Sequence, residues 1–184
     1  MMLALMISGC GFQLRGWNQS LPTFLQSIYI DYGNNYGFFN ILKTDIQSYG
    51  SKVVDRQDLA DVAIKINSAN QGQQLVGISG GASSNEYVLS YTINYDIIDA
   101  RNDVVIFKNQ IATAQQNFTS NATIQLAADQ QQQMIYNDLQ KRTASNILNR
   151  LATLKPDDFT QALKNEQQEI QSKTNNCSTC GSQP

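Results

Sequence analysis

The stretch "EYVLSYTINYDIID" (86–99) decides the fold. Tyr87, Leu89, Tyr91, Ile93, Tyr95 and Ile97 recur at every second position. Ser90, Thr92, Asn94 and Asp96 stand between them, with Val88 the exception. Successive side chains of a strand point to opposite faces, so this pattern predicts a sheet with one face buried and one in water. Tyr87, Tyr91 and Tyr95 could stack on sugars, but six large alternating residues read first as sheet core. "ARND" (100–103) supplies a tight turn and "VVIFKNQIATAQQNF" (104–118) returns, so 87–118 is predicted as one long hairpin.

Upstream, "DVAIKINSA" (61–69) alternates Val62, Ile64 and Ile66 against Ala63, Lys65 and Asn67, a half-buried strand. "GISGGASSNE" (77–86) follows it as either a loop or the tip of another hairpin. "FLQSIYIDYG" (24–33), rich in aromatic and β-branched residues, predicts the first strand. Asn34 or Asn35 can then cap a helix whose Phe38, Leu42, Ile46 and Tyr49 share one face, and Gly50 closes it. Downstream, residues 123–154 predict a long helix with a stripe of Ala128, Ile135, Leu139, Ile147, Leu148, Leu151 and Leu154. Lys155-Pro156 stops it, and a short helical piece is expected at 158–172.

The order β-α-β-β-β-α predicts an α+β, two-layer sandwich. Its sheet is four-stranded and mostly antiparallel, with two helices packed on one face. Residues 1–9 read as the end of a signal peptide, 10–23 as an N-terminal arm, 24–155 as the sandwich domain and 156–184 as a partly disordered tail. Tyr91, Ile93 and Tyr95 are expected beneath the helices, facing Ile147 and Leu151.

Composition narrows the chemistry. The 184 residues are 41% hydrophobic, enough for a core. Thirteen basic residues against 15 acidic ones give a net charge of -2, which leaves no polyanion footprint and argues against nucleic acid as a partner. Charged residues make up 15%, below the usual quarter, and Asn, Gln, Ser and Thr fill the gap. The absence of histidine removes the commonest general base and metal ligand. No metal site, cofactor or catalytic set is expected. Acidic residues are scattered or in turns, so an enzyme built on a carboxylate pair, such as a glycan hydrolase, is disfavoured.

The three cysteines, Cys10, Cys177 and Cys180, sit at the ends, so no disulfide framework holds the domain. Cys177 and Cys180 form a CxxC in a polar tail, without the βαβ context of a redox site. Asn117 and Asn121 head glycosylation sequons that a bacterial lipoprotein would not use in the usual way. Met1–Ile7 is apolar and ends in Ser8, Gly9 and Cys10. This head fits a buried first strand, the last part of a secretory signal, or such a signal ending at a lipid attachment site.

Ile7-Ser8-Gly9-Cys10 fits a bacterial lipobox, a branched aliphatic and two small residues before the cysteine. "CGFQLRG" (10–16) then closely resembles the start of mature lipoproteins of the LptE (RlpB) lipopolysaccharide-assembly family. The resemblance covers about residues 10–155. It implies lipidation at Cys10, outer-membrane attachment through acyl chains, and a 1:1 complex with the LPS-assembly outer-membrane β-barrel. The chain would sit in that barrel's lumen as plug and assembly factor and would contact lipopolysaccharide. The family's basic lipopolysaccharide contacts lie at the tip between the second and third strands and on the second helix. Here the tip reads Ile78-Ser79-Gly80-Gly81 and the helix position reads Asn137, so the nearest basic pair is Lys141 and Arg142. Arg15, Ser79, Gly80 and Gly81 are the expected partner contacts. The rival reading is a lipid-anchored module that binds a glycolipid by itself.

Overall fold

The computed structural model describes residues 20–79, 84–121 and 125–178. Cys10, Arg15, Gly80, Gly81 and Cys180 lie outside them. Strand β1 (Ser27–Asp31) leads into helix α1 (Tyr36–Ser48) and a short strand β2 (Lys52–Val54). A 3₁₀ turn (Gln57–Leu59) precedes three long strands, β3 (Val62–Ser79), β4 (Ser84–Asp99) and β5 (Val104–Asn121). Helices α2 (Gln125–Ala152) and α3 (Pro156–Ser178) complete the chain.

The sheet has five strands in the order β2-β1-β3-β4-β5. This corrects the expectation of four strands and two helices to five and three, within the same α+β class. The added strand β2 pairs in parallel with β1, from Ser27↔Lys52 to Tyr29↔Val54. At three residues it is too short to show an alternation. β1 is also parallel to β3, whereas β3–β4 and β4–β5 are antiparallel. The sheet is therefore mixed. Residues 77–86 are the end of a hairpin, since β3 and β4 stay paired as far as Ser79↔Ser84. α3 starts two residues before the expected helical piece and runs to Ser178, across much of the segment taken as a tail.

One face of the sheet carries the core. Leu89, Ile93 and Ile97 of β4 are fully buried, and Tyr91 and Tyr95 nearly so. α2 covers them with Leu139, Ile147, Leu148 and Leu151. α1 adds Phe38, Leu42 and Ile46, at the i, i+4 spacing that sets one helical face. The Phe38 and Tyr91 rings meet 5.7 Å apart. Burial pushes the Tyr95 phenol up to about 12, with the nearby Arg150 pulling the other way. Asn35 occupies the cap of α1, but its side chain turns back to the Tyr32 carbonyl (3.3 Å) and makes no cap bond. Gly50 closes the helix in the left-handed region, φ +87°, which suits a residue without Cβ. Pro156 opens α3, where its missing N–H costs nothing, and Asp158 accepts the Lys155 N–H at 2.8 Å. Phe159 then packs edge-on against Phe24.

Ile93→Ala should cost about 2–5 kcal/mol, because nothing is positioned to fill the void under α2. Ser90→Ala, on the other face of the same strand, should be near neutral. Chemical denaturation of the two variants checks this; equal losses would overturn the assignment of faces.

Candidate functional site

The face turned away from the helices is the broadest candidate surface. At its base, Ala60, Ala63 and Ala100 form a small cluster with Tyr29, Val54 and Ile98. Beyond it the chemistry changes. Two register shifts mark the border: β3 gains an extra residue between Ile66 and Ser68, and β5 gains one opposite the Tyr95–Ile97 segment. On β3 the extra residue is Asn67, whose Nδ2 donates to Asn94 Oδ1 at 3.1 Å. On β5, Asn109 takes φ 53° and its N–H donates to Asp96 Oδ1 at 2.6 Å. Such bulges bend the strand and increase its twist. Past them, residues 67–76, 87–95 and 110–118 of three adjacent strands contain no charged residue. The outward side chains there include Asn70, Ser90, Thr92, Thr113, Gln115 and Asn117, with Thr92 and Thr113 joined at 2.9 Å, and among them stand two apolar ones, the exposed Ile111 and the half-buried Val88. At about 3.3 Å per residue this neutral, hydrogen-bonding strip is about 30 Å long.

The last described stretch of β3 before the β3–β4 tip exposes apolar side chains. Leu75, Val76 and Ile78 are each at least half exposed. Ile78 falls within the stretch 77–86 expected as a loop or hairpin tip, and Leu75 and Val76 lie just before it. The described part of β3 next to the tip therefore exposes apolar side chains and carries no cation. Ser79 ends β3, paired with Ser84.

Lys141 and Arg142 lie elsewhere. α2 is tied to the hairpin stem by Tyr136, whose hydroxyl donates to the Gly72 carbonyl (3.0 Å), and by Gln132, which donates to Gln73 (2.8 Å). From Gly72 to Ser79 the hairpin runs another 20 Å or so outward. Lys141 and Arg142 lie on the other side of Tyr136, about one and a half turns further along α2. The structure thus separates the basic pair from the tip by roughly 30 Å. Both side chains are exposed. Arg142 is paired with Asp138 at 2.6 Å, one turn back. Lys141 faces Asp45 of α1, whose carboxyl is raised by burial and lowered in part by that lysine. Among the described residues no cluster of three metal-binding side chains occurs, and no helix is long and apolar enough to cross a membrane.

Opposite the tip, Asp61 ties the base together. It accepts the Gln26 and Ser27 N–H groups and the Ser27 hydroxyl, each at 2.9 Å, and pairs with Arg101 of the β4–β5 turn. Burial alone would raise its carboxyl; the hydrogen bonds from Ser27, Arg101 and Gln26 outweigh that and hold it below the ordinary value. An open cleft of ≈ 460 Å³ adjoins it, floored by Phe24, Phe159 and Leu163.

A mixed sheet with helices on one face and an uncovered, weakly charged face on the other defines a two-layer α+β fold. Solved lipoproteins share it. Lipoprotein B from Nitrosomonas europaea superposes with a TM-score of 0.64, at 24% identity, over 83% of this chain and 94% of that one. The rare lipoprotein B from Shewanella oneidensis gives 0.59 at 11% identity, over 69% and 94%. The lipopolysaccharide-assembly (LptE) family model matches residues 25–151, most of the described domain, and the chain belongs to that family. It is also 25% identical, over 174 residues, to the LPS-assembly lipoprotein LptE of Pectobacterium atrosepticum, covering 92% of this chain and 90% of that protein. Membership makes it a lipoprotein with a role in lipopolysaccharide assembly at the outer membrane.

Asp61 gives a testable acid response. A carboxyl lowered in the folded state contributes stability that is complete above its unfolded value, about 3.9, and is lost as pH falls through the folded one. Asp61→Asn should be less stable at pH 7 by about 2 kcal/mol and should lose less on acidification than the parent. Melting curves from pH 7 to pH 3 check both points.

Proposed function

We propose that this chain plugs the lumen of the LPS-assembly outer-membrane β-barrel, assists that barrel's assembly, and helps pass lipopolysaccharide to the outer leaflet, without catalysis. The observation that carries the reading is the neutral strip on the uncovered sheet face. The interior of an outer-membrane barrel is polar. A surface of amides and hydroxyls can exchange hydrogen bonds with such a wall without stranding an unpaired charge. The lipid anchor belongs at Cys10, on the periplasmic side, in a 1:1 complex. Arg15, Ser79, Gly80 and Gly81 are proposed as further partner contacts.

Lipopolysaccharide contact is proposed at Lys141 and Arg142. An exposed i,i+4 pair such as Arg142–Asp138 is worth about 0.5 kcal/mol or less, so a phosphate can displace Asp138 at little cost. A guanidinium binds phosphate in a two-pronged geometry. The apolar hairpin end suits acyl chains or an apolar part of the partner better than phosphate.

Three measurements test this. The full chain should copurify 1:1 with the barrel from detergent; a wild type that always emerges alone would replace the plug with the glycolipid carrier. Cys10→Ala should leave the membrane fraction while remaining folded. Asn70→Asp combined with Asn117→Asp adds two charges to the strip with almost no change in shape. It should lower complex yield several-fold while the free domain melts within about 2 °C of the parent.

A further inference from the structure

β5 ends the sheet, and among the described residues no strand pairs with its outer edge. Exposed edges invite pairing, and proteins usually blunt them with brevity, charge, proline or a cover. On the opposite side β2 follows this rule, being three residues long, starting with Lys52 and followed by Asp55; beyond Lys65, where β1 ends, the edge is β3, whose Gly72 carbonyl and Gln73 side chain are taken by Tyr136 and Gln132 of α2. β5 follows the rule only at its beginning. There Val104–Lys108 carries a lysine and runs beside α3, with Ala162 and Asn165 across a shared cleft. From Asn109 to Asn121 the edge holds no charged residue and no proline, for about 40 Å. The bulge at Asn109 is its one irregularity, and it lies at the near end.

The hydrogen bonding shows which groups this edge offers. In an antiparallel pair, alternate residues send both backbone groups to the neighbour and the rest send them away. The Tyr91 carbonyl of β4 is within reach of the Thr113 hydroxyl (3.3 Å) and so points to β5, which makes Tyr91–Ala114 the bonded pair and puts Thr113 in the outward set; the Thr113 carbonyl accepts from Asn146 Nδ2 of α2 at 3.0 Å. Gln115, Asn117 and Thr119 share its parity and present N–H and C=O off the sheet. Asn146 takes one acceptor of that row.

We infer that the β5 edge from Gln115 to Asn121 receives an extended, uncharged segment of the barrel protein as a sixth strand. This rests on the barrel-plug reading and deepens it. Only a backbone can answer a row of backbone donors and acceptors at strand spacing. A segment without charges buries no ion beside this row, on either face of the sheet. Main-chain bonds then supply affinity, as in other strand additions.

Residue-resolved hydrogen exchange on the purified full-chain complex tests it. In the free protein, the amides of Gln116 and Phe118 should be protected by β4, and those of Gln115, Asn117 and Thr119 should exchange fast. In the complex the second group should slow by at least tenfold. Gln115→Pro removes only an outward N–H, so the free protein should fold and complex yield should drop several-fold. A complex that forms normally while these amides still exchange fast overturns the inference and leaves the plug standing. No complex at all from the wild type overturns both. Sedimentation showing that the free protein dimerises with the same amides protected assigns the edge to a second copy and also overturns it. If Gln115→Pro does not fold, the exchange pattern of the wild-type complex decides alone.

Discussion

Burial of the Leu89–Ile97 row of β4 beneath α2 sets what the rest of the molecule can do. Side chains of a strand alternate, so placing that row under the helices places Ser90, Thr92 and Asn94 on the open side. A one-residue slip of β4 would put five large apolar residues in water and is strongly opposed. The neighbours are then bound to the same division. β3 brings Ile64 and Ile66 against Ile97 and Tyr95, and β5 brings Ala112 and Phe118 against Ile93 and Tyr87. The polar face is held rigid because the apolar face is closely packed behind it.

The two bulges show how the sequence changes character without losing that division. Asn67 on β3 and Asn109 on β5 interrupt the ladders at the level of Tyr95 and Asp96. On β3 the inserted residue shifts the parity, so Ala69 turns under the helices and Ser68 and Asn70 turn outward. Below this level the open face holds a small apolar cluster and the Asp61–Arg101 tie. Above it lies the charge-free strip. The base is thus the stapled end, where Asp61 ties β1, β3 and the β4–β5 turn, and the distal strands carry the uncharged part of the open face.

This division also explains what the sequence could reveal. The β4 alternation, the α1 face and the α2 stripe were legible because each repeats a large apolar residue at its own period over several turns or pairs. β2 was not, since "KVV" is too short to define a period and is held by its register with β1. The outer part of β3 was not, because the Asn67 bulge breaks the alternation and "NQGQQ" carries little strand preference. Its strand state comes from pairing with β4. The candidate surface was hardest to see. Lys141 and Arg142 stood out as charges, yet they lie far from the tip. The neutral strip is made of residues that signal nothing singly and become a surface only when three strands align them.

An interface of that kind follows a different physical logic from a charged one. Each buried ion must find a partner of good geometry or suffer a desolvation penalty of several kcal/mol. An amide or hydroxyl left imperfectly paired costs less, and water can bridge it to the other side. A neutral surface can therefore tolerate small errors of fit across a long contact, as a plug seated against a curved wall requires. Its weakness is that side-chain amides and hydroxyls discriminate poorly between partners. A row of backbone groups along β5 compensates, because it accepts only an extended chain in register. The adaptable face and the exacting edge lie on adjoining sides of the same distal strands. On the plug reading, a partner that meets both can do so only in one orientation, and the pair of surfaces would fix a pose that neither fixes alone.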